Sequence, residues 1–112
     1  MVVRFLPFFR SLPVMSSTHQ PAEPSVACFA VRGAADPGTL PRILELFAKR
    51  GLVPFSVHSR MSGEGDEALL IVDLQVEGLS PEQSEIVAEQ LRQIFVIDRV
   101  LTARKRLLRS AA

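Results

Sequence analysis

Tryptophan, tyrosine and asparagine are absent from this chain of 112 residues, and cysteine occurs once, at Cys28. A single thiol excludes an intramolecular disulfide framework and any cysteine-rich zinc site. It suits a reducing, cytoplasmic compartment. No apolar run approaches the roughly 18–20 residues that a membrane-spanning helix needs, so no membrane partner is expected. Without Trp and Tyr, seven Phe residues are the only aromatics. Three of them, Phe5, Phe8 and Phe9, fall in the first ten residues.

What is present describes one globular domain. The length suffices for one hydrophobic core and not for two. A hydrophobic fraction of 47% beside 22% charged residues separates the chain from disordered sequences. Charge is divided unevenly: residues 26–103 hold seven basic and eleven acidic side chains, and Arg104, Lys105, Arg106 and Arg109 follow. The patterned region is therefore acidic, which argues against a nucleic acid as partner.

Residues 1–25 read as a segment outside the domain. Pro7, Arg10 and Pro13 interrupt the apolar stretch of residues 1–14, and no small-residue cleavage site follows. Residues 16–25 are a polar, proline-containing linker that includes His19. Met15, followed by Ser-Ser-Thr, reads as an alternative start. The domain is expected at 26–104, with a basic tail at 105–112.

Within the domain the pattern alternates. Val26–Gly33 is a short apolar run that predicts a central strand buried on both faces. Leu40, Ile43, Leu44, Phe47 and Ala48 recur at helical spacing and predict one apolar stripe. Pro41 belongs in a first turn, which places the helix start at Gly38 or Thr39, and Gly51 ends it. Val53, Phe55, Val57, Ser59 and Met61 then alternate with polar residues as a strand with one buried face. Pro54 cannot donate to a ladder, so that strand should lie at a sheet edge or have Pro54 at its very start. After a two-glycine hairpin at 62–66 come Ala68, Leu70, Val72, Leu74 and Val76, the inward row of a third strand.

Ser80-Pro81-Glu82-Gln83 is a capping box with proline at the first helical position. The helix it opens is expected to bury Ile86, Val87, Leu91 and Ile94, and a fourth strand follows at Val96–Ala103. The order βαββαβ with right-handed crossovers predicts an α+β, ferredoxin-like sandwich: a four-stranded antiparallel sheet with two helices on one face.

The run Pro37–Gly51, PGTLPRILELFAKRG, resembles the first loop and helix of ACT domains. It is most similar to the small regulatory subunits of acetolactate synthase, of the short, isozyme II type. The resemblance spans residues 26–103, with its specific part in those fifteen residues. It implies a non-catalytic homodimer that supports a large thiamine-dependent catalytic subunit in branched-chain amino acid biosynthesis, without a cofactor or metal of its own. The alternative it leaves open is a free-standing amino-acid sensor acting on another enzyme or transporter.

The same resemblance implies where a small amino-acid ligand would sit. Asp36, Gly38, Thr39 and Leu40 form the helix entry, whose first amides would face a carboxylate worth about 0.3–1 kcal/mol to the dipole. The Gly51–Phe55 segment of the partner, with Val53 and Pro54 as its ligand-binding candidates, would form the second wall. Valine-binding relatives carry Asn two residues before the proline and just after the Arg-Gly-aromatic triplet; here those positions are Ala35 and Val53, so backbone donors remain without side-chain anchors. Phe55 and Val57 on the edge strand, with Leu69 and Ile71 on the outer sheet face, are the interface candidates.

Other chemistries find less support. Cys28 lies in a predicted central strand without a local His or Asp signature, so it reads as a small core residue. His58 faces solvent or an interface. Glu64, Asp66 and Glu67 lack the ligand number of a calcium loop. An RNA-binding sheet needs aromatics on its central strands, and only Phe29 is there. A metal-transfer domain needs a cysteine pair in the first loop. An acylphosphatase-like enzyme needs an asparagine to hold its water, and none exists.

Overall fold

The computed structural model describes residues 25–106. They form β1 (Ser25–Ala34), α1 (Thr39–Lys49), β2 (Ser56–Ser62), β3 (Leu69–Glu77), α2 (Pro81–Arg92) and β4 (Ile97–Arg106), with one 3-10 turn at Gly65–Glu67. The strands make one antiparallel sheet in the order β2-β3-β1-β4. This is the expected ferredoxin-like arrangement, with β1 and β3 central. The amino-terminal readings at 1–24, including Phe5, Phe8, Phe9, Met15 and His19, lie outside the described residues, as do the tail residues 107–112.

Local signals set both helices. Ser80 Oγ accepts from Gln83 N–H at 3.1 Å, and Gln83 Oε1 accepts from Ser80 N–H at 2.9 Å, so the capping box closes in both directions. At the end of α1, Gly51 takes a φ of 71°, a left-handed value that glycine adopts without a Cβ penalty. Gly51 N–H then reaches Ala48 O at 3.0 Å and Leu52 N–H reaches Phe47 O at 2.9 Å. That pair of bonds closes a Schellman motif and turns the chain toward β2.

Both helices pack on the same side of the sheet. Ile43 and Phe47 of α1, with Val87, Ala88 and Leu91 of α2, share one cluster with Ala27, Phe29, Val31, Val72, Leu74 and Val76. Phe29 and Phe47 meet edge to face at 5.6 Å, a geometry that adds about 0.5–1.5 kcal/mol beyond burial.

Several sequence expectations are corrected by this packing. On β1 the helix side is buried throughout, whereas on the other face Val26 is buried and Cys28, Ala30 and Arg32 are half-buried, because no helix of the described residues covers them. In α1 the buried stripe is Thr39, Ile43 and Phe47, while Leu44 and Ala48 are exposed. The helix is turned so that Thr39 faces inward, where its hydroxyl donates to Ala34 O at 2.8 Å. In α2, Ser84 and Ala88 are buried and Ile86 is exposed. β2 begins at Ser56 instead of Val53, since Pro54 has no N–H and ladder bonding begins with Phe55 N–H to Gln75 O at 3.0 Å.

β4 extends through Arg106, so Arg104, Lys105 and Arg106 are strand residues and not a tail. Arg104 donates to Ser84 Oγ at 2.9 Å, to Ser25 Oγ at 3.2 Å and to Leu79 O. It thereby ties β4 to α2, to the start of β1 and to the turn before α2.

Two substitutions test this account. Gly33 lies where a Cβ would stand 2.7 Å from Val96 O and 2.9 Å from Ile97 Cδ1. Gly33→Ala is expected to destabilise by about 1–3 kcal/mol through overpacking. Arg104→Ala strands part-buried acceptors and should cost about 1–3 kcal/mol. Urea denaturation monitored by circular dichroism reads both; an unchanged midpoint for either would contradict the packing described.

Candidate functional site

The corner between β1 and α1 is held by its own side chains. Asp36 Oδ2 accepts from Gly38 N–H at 3.0 Å, and Asp36 O accepts from Thr39 N–H at 3.0 Å. Pro41 has no N–H, and Arg42 N–H closes onto Gly38 O at 3.2 Å. Leu40 thus carries the one first-turn amide without a partner among the described residues. The row of bare donors expected from the sequence is reduced to one, because Asp36 already accepts from the Gly38 and Thr39 amides. Gly38 sits at φ −84°, in the ordinary right-handed region. Its value is space: a Cβ there would meet only Asp36 Oδ2 at 3.4 Å and the Arg42 guanidinium at 3.8 Å.

That places a carboxylate and a guanidinium beside one open backbone position. Asp36 and Arg42 form no ion pair with each other, and Arg42 forms none with any described residue. Arg42 is absent from the sequence-based site because helical periodicity places it on the polar face of α1. Its position four residues after Gly38 was the available signal, since residues that far apart share a helix face. Among the sequence candidates, Asp36 is exposed, Gly38 and Leu40 are half-buried, and Thr39 is fully buried with its hydroxyl engaged.

The second half of the expected site lies on β2 and the loop before it. Pro54 is half-buried. Val53, Phe55, Val57 and Met61 are 81%, 53%, 42% and 62% exposed. Val57 stands opposite Leu74 and Met61 opposite Leu70, so this row lies on the helix side of the sheet. The alternation expected from the sequence exists, but among the described residues no helix covers it and no strand pairs with the outer edge of β2. Leu69 and Ile71, the other interface candidates, are half-buried on the helix-free face.

That face carries a shallow depression of about 460 Å³ lined in part by Cys28, Ala30, His58, Asp73, Gln75 and Leu101. Among the described residues no group of three or more His, Cys, Asp or Glu side chains stands close enough to hold a metal ion. None of their helices is long and apolar enough to cross a membrane.

A family model for an ACT-like domain matches residues 20–106. The chain belongs to the ACT-like domain family. Its fold has relatives among solved structures. The ACT domain of a GTP pyrophosphokinase from Chlorobium tepidum superposes with a TM-score of 0.58 at 11% identity, over 71% of this chain and 86% of that one. The C-terminal domain of the MgtC protein from Mycobacterium tuberculosis gives 0.54 at 13% identity, over 79% and 95%. A homoserine dehydrogenase from Thiobacillus denitrificans gives 0.55 at 15% identity, over 76% of this chain and 18% of that one. At such identities the likeness concerns the fold. No curated protein matches the chain. The ACT-like assignment makes this a domain of regulatory type, with the β1–α1 corner and β2 as its open features.

The turn bond of Asp36 is testable alone. Asp36→Ala removes the bond to Gly38 N–H and should lower stability by about 0.5–1.5 kcal/mol, the net worth of one hydrogen bond. Asp36→Asn keeps an acceptor and should recover most of it. Thermal denaturation compares the three proteins, and equal midpoints would show that the carboxylate does not hold the turn.

Proposed function

We propose that the chain is a non-catalytic regulatory module that works as a homodimer joined through its β2 edges. The observation that carries this reading is the bare apolar row Phe55, Val57 and Met61 on a strand with an unpaired edge. Exposed edges invite pairing, and an apolar inner face beside one adds a reason for a specific partner. A second copy satisfies both needs, because it brings the same row and the same open ladder.

In such a dimer the partner's Val53 and Phe55 would approach the β1–α1 corner. A small amino acid fits the groups there: its ammonium on Asp36, its carboxylate toward Arg42 and the Leu40 amide, and an apolar side chain against the partner wall. The absence of polar anchors at Ala35 and Val53 is met in this reading by charged side chains at Asp36 and Arg42. The likeness of Pro37–Gly51 to acetolactate synthase small subunits supports a large thiamine-dependent enzyme as client, in the reducing cytoplasm. The charge pair around Gly38 equally supports a free-standing amino-acid sensor.

Light scattering tests the dimer, and co-purification of the tagged chain tests the client. Met61→Glu would place a carboxylate against apolar neighbours and should weaken association by about 2 kcal/mol or more, roughly 30-fold in dissociation constant. A wild-type chain that stays monomeric at high concentration would remove the dimer reading. Consistent absence of a thiamine-dependent subunit from the co-purified material would leave the sensor, and calorimetric titration with valine, leucine and isoleucine would then decide whether Asp36 and Arg42 hold a ligand.

A further inference from the structure

Two sulfur atoms lie among the described residues, and the sheet separates them. Cys28 is on β1, half-buried on the helix-free face, with its thiol 3.9 Å from Val26 O. Met61 is the penultimate residue of β2, on the helix side and 62% exposed. It stands opposite Leu70 on β3, at the far end of the row that Phe55 and Val57 begin. No other methionine falls within residues 25–106.

Its position distinguishes Met61 from a methionine that fills a core. It belongs neither to the buried cluster nor to the half-buried apolar residues packed against it, whereas Leu70 opposite it does. The fold of one chain therefore takes little from this side chain. In the dimer reading its surroundings change: water in the monomer, apolar neighbours once the bare row is covered. A thioether suits both, being unbranched, polarisable and only a weak acceptor. Its sulfoxide does not. The added oxygen makes the side chain polar; it stays hydrated in the monomer and must lose that water at an apolar contact.

We propose that Met61 is a site of reversible sulfoxidation by hydrogen peroxide, and that the oxidised chain is held as the monomer. One oxygen of the peroxide passes to the Met61 sulfur as the O–O bond breaks. The thioether supplies two electrons, and the second oxygen leaves as water. A methionine sulfoxide reductase with a dithiol as electron donor returns the thioether, with a disulfide and water as products. The forward step needs the sulfur in contact with solvent, so it occurs on the monomer and dimerisation protects against it. Oxidation and association compete for the same side chain, which makes the regulatory unit sensitive to peroxide. The proposal rests on the dimer reading, and requires only that the bare row be covered, in whichever register the two edges pair.

The full chain is treated with hydrogen peroxide, and peptide mass spectrometry reads sulfoxide separately at Met1, Met15 and Met61. Sedimentation after treatment should show a dissociation constant raised roughly tenfold or more, and restored by methionine sulfoxide reductase. Met61 should also oxidise more slowly at protein concentrations where the dimer dominates. Met61→Leu keeps an apolar side chain of similar volume and should dimerise equally with and without peroxide. Circular dichroism, at a dilution where every form is monomeric, should give one melting midpoint for oxidised and untreated chains. A chain fully oxidised at Met61 that dimerises as before overturns the switch and leaves the dimer standing. The switch is likewise overturned if Met61→Leu loses association under peroxide, since another sulfur is then responsible. A lowered midpoint in the dilute oxidised sample counts against it too, as a sign of damage to the fold. A chain monomeric before any treatment removes the dimer and the switch together.

Discussion

Two helices cannot cover four strands evenly, and the strand left over organises this protein. α2 sits over β1 and β4, where Arg92 donates to Val100 O at 2.9 Å and Thr102 Oγ1 bonds Glu85 Oε2 at 3.2 Å. α1 meets the sheet at Phe29 and is tied to α2 through Arg50 and Gln90 at 2.8 Å. β2 lies at the far margin, with its inner row of apolar side chains in the open. An antiparallel sheet tolerates water on one face, but an apolar row on the other face at an unpaired edge is an unfinished core.

The two edges of the sheet are handled differently. β4 carries Asp98, Arg99, Arg104, Lys105 and Arg106 and is longer than β2. Such charges discourage indiscriminate strand addition. β2 has only Arg60 as a permanent charge, beside serines, His58 and apolar residues. The contrast makes β2 the edge suited to a chosen neighbour, and it connects the packing of the monomer to the regulatory role proposed for it.

The β1–α1 corner links local structure to ligand chemistry. The Asp36 carboxylate accepts from the Gly38 amide and holds the turn. The zwitterionic ligand proposed for this corner rests on that carboxylate and on the Arg42 guanidinium near it. The fold hosts many activities, so these side chains, and not the architecture, carry the functional argument.

Much of the architecture was legible in the sequence because local rules decide it. Ser80 and Gln83 specify the start of α2, Gly51 specifies the end of α1, and Pro54 limits where β2 can begin. Each of these acts through its own backbone within a few residues. Periodicity also identified which residues are apolar, but it does not say which apolar residues find a cover. Thr39 displaced Leu44 from the buried stripe because Ala34 O supplies an acceptor, and that acceptor comes from a neighbouring strand end. Ile86 and Met61 stayed exposed because no element of the described residues covers them. The polar residues at the corner behaved likewise: Asp36 reads in sequence as one loop acid, and only the folded turn shows it bonded to Gly38. Element order and boundaries were thus set by the chain, while coverage and charge juxtaposition were decided in three dimensions, where distant segments supply or withhold their partners.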